Sequence, residues 1–206
     1  RGLPVAEALR PDALLAWAMN GAPLPPQHGA PLRLVVPGWY GMAQVKWLTR
    51  IEVLTEPFTG YQNATAYRIT TSADDPGEPV ARIRPRALMS PPGWPDFMTR
   101  ERFVPAGPVT LSGRAWSGRA PVTRVEVSTD GGAGWADTEL TPADPAHPYS
   151  WRAWSLAWTA EPGVTELLVR ATDETGETQP VEQEWNRQGM ANTLVQRVPV
   201  TVLEPR

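Results

Sequence analysis

The sequence predicts a mainly β protein built from two parts, and three observations support this fold class. Proline (24 residues) and glycine (17) make up about a fifth of the 206-residue chain, which disfavours long helices. Ten tryptophans and no cysteine indicate sheet cores packed on indole rings without disulfides. Beyond residue 84, short apolar or alternating segments follow one another, as in an immunoglobulin-like β-sandwich.

The second part, residues 84–206, contains most of the candidate strands. They span residues 108–115, 121–128, 135–140, 150–158, 166–172 and 192–202. Alternation within 121–128 predicts that Thr123, Val125 and Val127 share one face of a strand. Spaced indoles of this kind usually fill a core, so Trp116, Trp135 and Trp154 are interpreted as structural residues. A carbohydrate-binding face is the less favoured alternative, because it requires coplanar exposed rings.

The first part, residues 1–83, is predicted to be mixed α+β. Apolar residues at helical spacing predict a helix over residues 4–20, followed by strands over 32–36 and 45–54. One helix and a few strands over about 80 residues would bury little apolar surface for an independently folding domain. The loop-rich stretch around residues 83–85 marks the predicted domain boundary.

Composition excludes several classes of function. The net charge of −3 argues against a nucleic-acid binder, which would normally carry a basic face. No run of 18 apolar residues is present, so no membrane-spanning helix is predicted. The absence of cysteine excludes zinc–thiolate sites and cysteine nucleophiles from this chain, and it is compatible with both the periplasm and the cytoplasm.

The most informative candidate site lies in loops of the first part. His28 stands in a Pro- and Gly-rich loop, with Arg33 five residues later and Lys46 beyond the next turn, so that all three lie within twenty residues of one another. Cationic and proton-donating groups that converge in this way can bind an anion such as a phosphate. The alternative is that all three are ordinary surface residues.

Longer strings of sequence resemble a known family. Residues 20–53, NGAPLPPQHGAPLRLVVPGWYGMAQVKWLTRIEV, resemble the molybdopterin-cofactor domain of the sulfite oxidase family. Their sequence resembles bacterial members of the family more than animal ones. Residues 111–140, together with WRAWSLAW at 151–158 and EWNRQGMAN at 184–192, are similar to that family's immunoglobulin-like dimerisation domain. The resemblance therefore implies the end of a sulfite-oxidase-type cofactor domain over residues 1–83 and a dimerisation domain over 84–206.

The resemblance also implies roles for individual residues. His28, Arg33 and the segment Gln44, Val45 and Lys46 occupy the positions that hold the molybdenum–molybdopterin cofactor in the family. Tyr67 stands where the family has its active-site tyrosine. Arg187 is aligned loosely with a substrate-binding position.

The activity implied by the resemblance is the oxidation of sulfite, a small oxyanion, to sulfate, with electrons passed singly to a haem or cytochrome acceptor. A homodimer is implied as well. The family's molybdenum is bound by a cysteine thiolate, which this chain lacks. We therefore expect a C-terminal portion of a larger enzyme, inactive by itself, with the thiolate upstream. Two alternatives stay open: a non-catalytic dimerisation module, and the same fold acting on nitrate, a sulfane sulfur or another S- or N-oxide.

Overall fold

A computed structural model describes residues 1–182 and 185–204. The chain forms two compact units. Unit 1 comprises Arg1–Ile83 and Trp185–Asn192, and unit 2 comprises Arg84–Glu184 and Thr193–Arg206.

Unit 1 consists of short elements joined by long loops. It contains one α-helix (α1, Val5–Ala8), 3-10 helices at Pro26–His28, Gly41–Ala43 and Arg187–Gly189, and a π-helix at Gln62–Ala66. Its strands are β1 (Leu14–Ala16), β2 (Ala18–Met19), β3 (Ala22–Pro23), β4 (Arg33–Val35), β5 (Arg68–Ile69) and β6 (Glu78–Pro79). They pair antiparallel as β1–β4, β2–β3 and β5–β6.

The helix predicted over residues 4–20 is wrong, because α1 ends at Ala8. Pro11 has no amide hydrogen and restricts the residue before it, so a helix cannot continue regularly through this point. Leu14 instead pairs with Val35 in the β1–β4 ladder, and pairing with a distant strand replaces the local helical preference.

The strand predicted over residues 45–54 is also absent. Leu48 donates its amide to the carbonyl of Leu32 at 2.9 Å, so the start of this segment does lie beside β4. Trp47, however, has a φ of +51°, which interrupts an extended run. The segment is therefore an irregular loop attached to β4.

Unit 2 is an immunoglobulin-like β-sandwich, which confirms the predicted mainly β fold class. Its strands are β7 (Arg86–Ser90), β8 (Trp94–Pro95), β9 (Arg102–Pro105), β10 (Gly107–Trp116), β11 (Val122–Ser128), β12 (Ala136–Asp137), β13 (Glu139–Leu140), β14 (Arg152–Ala160), β15 (Gly163–Asp173) and β16 (Gln196–Leu203). One sheet has the order β13-β14-β10-β7 and the other β12-β11-β15-β16-β9-β8. The predicted strand 135–140 is divided, since β12 pairs with β11 and β13 with β14 in the opposite sheet.

A bulge in β11 changes which residues face the core. The register between β11 and β15 shifts between Val122 and Arg124. As a result, Val122, Val125 and Val127 are buried, whereas Thr123 is exposed. The prediction that Thr123 shares a face with the two later valines was wrong, because alternation assumes an unbroken pleat.

The sandwich core is built around Trp154, which is 2% exposed and lies among the buried aliphatic side chains of both sheets. Gly113 makes room for this indole, because a Cβ at that position would lie 2.6 Å from Trp154 Cζ2. Trp116 stacks on Trp151 with ring centroids 4.9 Å apart, and Arg170 lies 4.0 Å above the ring of Trp135. The three tryptophans interpreted as structural residues therefore each contact other side chains of unit 2.

Two glutamine side chains cover the free edge of β7. Gln179, 2% exposed, accepts the amide of Ala87 at 2.8 Å. Gln196 accepts the amide of Met89 at 2.6 Å and donates back to the Met89 carbonyl at 3.3 Å. These side chains replace the strand that would otherwise pair with this edge.

Within the described residues, no helix has the length and apolar character needed to cross a membrane. The segment 185–192, which the sequence division placed in the second domain, belongs to unit 1. The reason is Asn186, whose Oδ1 accepts from both the amide (3.2 Å) and the hydroxyl (2.9 Å) of Thr70.

Candidate functional site

The loop that carries His28 is a short, tightly closed turn. Pro25 and Pro26 lead into the 3-10 helix Pro26–His28, and Gly29 ends it with a φ of +106°. This left-handed conformation favours glycine, which has no Cβ. His28 is thereby held at an exposed position at the end of the helix.

Gly29 is also the place where a second loop approaches. A Cβ on Gly29 would lie 2.9 Å from Lys46 Cβ, so the chain at Lys46 rests directly on the glycine. Trp47 donates its amide to the Gly29 carbonyl at 3.3 Å, and Leu34 donates to the carbonyl of Val45 at 2.8 Å. His28 and the segment Gln44, Val45 and Lys46 thus lie on two loops that approach each other, and Arg33 begins the strand β4 that is hydrogen-bonded to Val45.

Two cations bind the same short helix. Arg33 Nη1 donates to the His28 carbonyl at 3.1 Å, and Lys46 Nζ donates to the Gln27 carbonyl at 2.7 Å. Arg33 Nε is buried and has no hydrogen-bond partner. A buried donor of this kind is costly unless it finds an acceptor. Anionic or oxygen-rich groups are the natural acceptors for two such side chains.

Gln44 and Val45 shape the loop through bonds within the chain. The side chain of Gln44 accepts a hydrogen bond from the backbone amide of Val36 through Oε1 and donates one to the Val36 carbonyl through Nε2, both at 2.7 Å. Gln44 and Val45 donate their backbone amides to the carbonyls of Gly41 (3.1 Å) and Ala43 (3.0 Å). Both residues therefore position the loop that presents Lys46.

Tyr67 follows the π-helix Gln62–Ala66 and is half-buried. It donates its amide to the Gln62 carbonyl and accepts from the Val80 amide, both at 3.0 Å. The Arg1 guanidinium lies 5.4 Å from the centre of its ring. These contacts involve residues outside the two loops that carry His28 and Lys46.

Arg187 is exposed and lies in the 3-10 helix Arg187–Gly189, whose N-cap is Asn186. Asn186 Oδ1 accepts from the Arg187 amide at 2.8 Å as well as from Thr70, three residues after Tyr67. Asn186 therefore ties the Arg187 turn to the segment that follows Tyr67. This role of Asn186 was not predicted, because its only local signal is the preference of asparagine for turns.

The carboxylate of Glu7 in α1 is connected by hydrogen bonds, through Trp39, to the loop that carries Lys46. Glu7 Oε2 accepts from Trp39 Nε1 (3.0 Å), Arg10 (3.0 Å) and Arg82 (2.8 Å). Burial alone would raise the pKa of Glu7, but hydrogen bonds from Arg82, Arg10 and Trp39 outweigh burial and lower the pKa to about 2. The Trp39 carbonyl in turn accepts from Gln44 Nε2 at 3.2 Å, which links this cluster to the Lys46 loop.

We expect Glu7→Gln to reduce the acid sensitivity of the chain. Because the folded-state pKa is depressed, the carboxylate stabilises the fold above pH 4.5 and loses this contribution as the pH falls towards 2. Because solvent screens this partly exposed side chain, the free energy of unfolding of the variant at pH 7 should be lower than that of the wild type by about 1–2 kcal/mol. Urea unfolding from pH 7 to pH 2.5 measures the difference, and Glu52→Gln, on an exposed loop, is the matched control. Identical pH profiles for wild type and Glu7→Gln would contradict this assignment.

No group of three or more His, Cys, Asp or Glu side chains within residues 1–182 and 185–204 could bind a metal ion. What the described loops offer is a set of donors for an anion.

Comparison with known proteins identifies the family. Residues 1–62 match the model of the oxidoreductase molybdopterin binding domain, and residues 95–203 match that of the Mo-co oxidoreductase dimerisation domain. The second match alone covers more than half of the chain. The chain belongs to the sulfite oxidase family of molybdenum-cofactor oxidoreductases. The predicted membership of this family is thereby confirmed.

The relatives that this chain matches include a nitrate reductase, a sulfite oxidase and a sulfane dehydrogenase. The chain is 34% identical to an NADH nitrate reductase of Brassica napus over 94% of its own length and 23% of the relative. It is 34% identical to mitochondrial sulfite oxidase of Mus musculus over 98% of its length and 39% of the relative. In the crystal structure of the sulfane dehydrogenase SoxCD from Paracoccus pantotrophus, a chain superposes with a TM-score of 0.79 at 27% identity, covering 98% of this chain and 53% of that one. The chain thus spans less than half the length of these two curated relatives.

Proposed function

We propose that this family member acts as part of a molybdenum-dependent oxidoreductase that oxidises sulfite to sulfate and passes the electrons to a haem or cytochrome acceptor. The observation that carries the proposal is the pair of cations, Arg33 and Lys46, which both donate to carbonyls of the Pro26–His28 helix. The buried Nε of Arg33 has no hydrogen-bond partner and adds a donor. Both residues fall within the segment that matches the molybdopterin-binding domain.

The donors in these loops fit an anionic cofactor. An ammonium group has three hydrogens, and Lys46 uses one of them on Gln27, which leaves two for a phosphate. Arg33 offers its Nε and the remaining Nη donors in a planar fork suited to oxygen acceptors. In the proposed role, Arg33 and Lys46 bind the cofactor's anionic groups, His28 donates from the rim, and Gln44 and Val45 hold the loop in place.

The chemistry that the bound cofactor would supply is oxygen-atom transfer, in which sulfite and water give sulfate, two protons and two electrons. Tyr67 would contribute a phenol that donates a hydrogen bond to the substrate oxyanion and holds a proton at Oη during turnover. Arg187, held by Asn186, would attract the anionic substrate. Unit 2 would supply the contact for a homodimer, as expected for a dimerisation domain.

Molybdenum content tests the cofactor proposal. In protein purified from the complete native gene with cofactor supply, we expect about one molybdenum per protomer by elemental mass spectrometry. Arg33→Ala and Lys46→Ala should each raise the cofactor dissociation constant by about tenfold to a hundredfold and so lower occupancy, because a charge-assisted hydrogen bond contributes roughly 1.5–3 kcal/mol.

The matched control is Arg50→Ala, whose side chain is 76% exposed on the same stretch of chain. Lys46→Arg should restore part of the occupancy, and equal melting temperatures would exclude a loss by unfolding. Unchanged occupancy in both alanine variants would remove these residues from the cofactor site. No molybdenum in the wild type would favour the non-catalytic dimerisation module.

Nitrate is the second candidate substrate, because the identity to NADH nitrate reductase equals that to sulfite oxidase. Parallel assays with sulfite, nitrate and a sulfane sulfur compound distinguish the candidates. Turnover of nitrate without turnover of sulfite would replace the proposed substrate and leave the cofactor assignment in place.

A further inference from the structure

Trp47, the residue directly after Lys46, has a backbone conformation that its surroundings must stabilise. Its φ of +51° lies in the left-handed region, which residues other than glycine rarely adopt. Its side chain is 59% exposed, so the burial of apolar surface contributes little to holding it there. A bulky residue keeps such a conformation only where specific contacts favour it, and such residues cluster at functional sites.

Two hydrogen bonds provide these contacts, and both join Trp47 to the 26–29 turn, which consists of the Pro26–His28 helix and Gly29. The backbone amide of Trp47 donates to the Gly29 carbonyl at 3.3 Å, and its indole Nε1 donates to the Pro26 carbonyl at 3.0 Å. Trp47 therefore contacts the first and the last residue of the turn. Because it follows Lys46 directly, these bonds also fix the backbone from which the Lys46 side chain extends.

The two cations cover the carbonyls in the middle of the turn. Lys46 Nζ donates to the Gln27 carbonyl at 2.7 Å, and Arg33 Nη1 donates to the His28 carbonyl at 3.1 Å. With the two bonds from Trp47, each of the four successive carbonyls of residues 26–29 has a donor from another segment of unit 1. A carbonyl oxygen carries a partial negative charge, so an uncovered carbonyl beside the cations would repel an anion. Covered carbonyls and two cations together favour an anion at this surface.

We propose that Trp47 is a positioning residue that holds the 26–29 turn and the Lys46 backbone in the arrangement that binds an anion. The inference rests on the proposed function of Arg33 and Lys46 as ligands of the anionic cofactor, and it adds the residue that keeps them in place. Trp47 suits this role because both of its donors are neutral. An anion attracts the cationic groups of Arg33 and Lys46 more strongly than neutral N–H groups, so the Trp47 bonds hold the turn whether or not the anion is bound.

Two variants separate this role from a contribution to stability. Trp47→Phe retains an aromatic ring and the backbone amide and removes the indole N–H. Trp47→Gly removes the whole side chain, but glycine adopts a φ of +51° without steric cost, which offsets the lost hydrogen bond. We therefore expect Trp47→Gly to melt close to the wild-type temperature. If Trp47 served stability alone, this variant would show no defect in cofactor binding.

The rate of molybdenum release from protein purified from the complete native gene is the first measurement. On dialysis, Trp47→Phe should release molybdenum about two- to tenfold faster than the wild type, because one hydrogen bond to the turn is lost. Trp47→Gly should release it at least as fast as Trp47→Phe does. Trp17→Phe is the matched control, because Trp17 is a 71% exposed tryptophan of unit 1, and its release rate should stay within about twofold of the wild type.

Lysine acetylation supplies a readout that does not depend on the cofactor. Lys46 is the one lysine of the 206-residue sequence. In protein prepared without cofactor supply, acetic anhydride should acetylate Lys46 about threefold or more faster in both Trp47 variants than in the wild type or in Trp17→Phe. The reason is that the ammonium group is held less firmly on the Gln27 carbonyl. Mass spectrometry of the peptide that contains Lys46 measures the rate.

Wild-type rates of release and acetylation in both Trp47 variants would overturn the role of Trp47 and leave the cofactor proposal standing. Faster release that accompanies a lower melting temperature in both variants would make Trp47 a structural residue, and it would overturn the inference as well. A wild type without molybdenum would overturn the proposed function, and the acetylation rates would then decide by themselves whether Trp47 positions Lys46.

Discussion

In protein purified from the complete native gene, Tyr67→Phe is expected to lower sulfite turnover about 100-fold while molybdenum occupancy stays at the wild-type value. The change removes one hydroxyl that would donate to the oxyanion and carry a proton, and such groups typically contribute two orders of magnitude or more. The fold should tolerate it, because the contacts of Tyr67 are made by its backbone with Gln62 and Val80 and by its ring with Arg1.

Steady-state sulfite oxidation and elemental analysis of the same preparations measure this effect. Tyr61→Phe is the matched control, since Tyr61 is 68% exposed and lies six residues earlier in the same GYQNATAYR string. Loss of molybdenum in Tyr67→Phe would mean that the residue is structural. Full activity with full occupancy would place the phenol outside the reaction.

The second large effect concerns stability. Trp154→Ala should lower the free energy of unfolding by about 3–5 kcal/mol, because it leaves a cavity between the two sheets of the sandwich. Trp154→Phe should lower the free energy of unfolding by less than half as much as Trp154→Ala does. The indole Nε1 is buried without a hydrogen-bond partner, so the phenylalanine loses packing but no hydrogen bond.

Guanidinium unfolding followed by circular dichroism measures both changes. Trp151→Ala is the control, because this exposed indole contributes mainly its stacking on Trp116, worth about 0.5–1.5 kcal/mol. A cost for Trp154→Ala no larger than that of Trp151→Ala would contradict the position of Trp154 at the centre of the core.

Local patterns succeeded where a segment forms a regular antiparallel strand. Residues 121–128 and 150–158 were predicted as strands and correspond to β11 and β14. Local patterns gave wrong predictions where pairing with a distant strand or an irregular backbone overrides the local preference. The helix over 4–20 gave way to pairing of β1 with β4, and the bulge at Val122 moved Thr123 to the solvent.

The candidate site shows the same division. His28, Arg33 and Lys46 are predicted as site residues from their spacing and from the resemblance. In the structure, Arg33 and Lys46 both donate to carbonyls of the 3-10 helix that ends at His28. Neither Glu7 nor Asn186 was found, although each supports the loops that carry site residues. Glu7 contacts Arg82, 75 residues later, and such a pair leaves no periodic signal in one sequence.

The fold class, the family and the residue types available to bind an anion can all be read from the amino-acid sequence alone. Strand alternation, glycine turns and long family strings are local properties, and these can be read from consecutive residues. Three other features come from the packing of distant segments: the burial of Arg33 Nε without a partner, the cover of β7 by Gln179 and Gln196, and the shared face of Trp94, Phe103 and Val164. These features depend on contacts between residues far apart in the chain, whose free energies are settled only when the strands pair and the side chains pack.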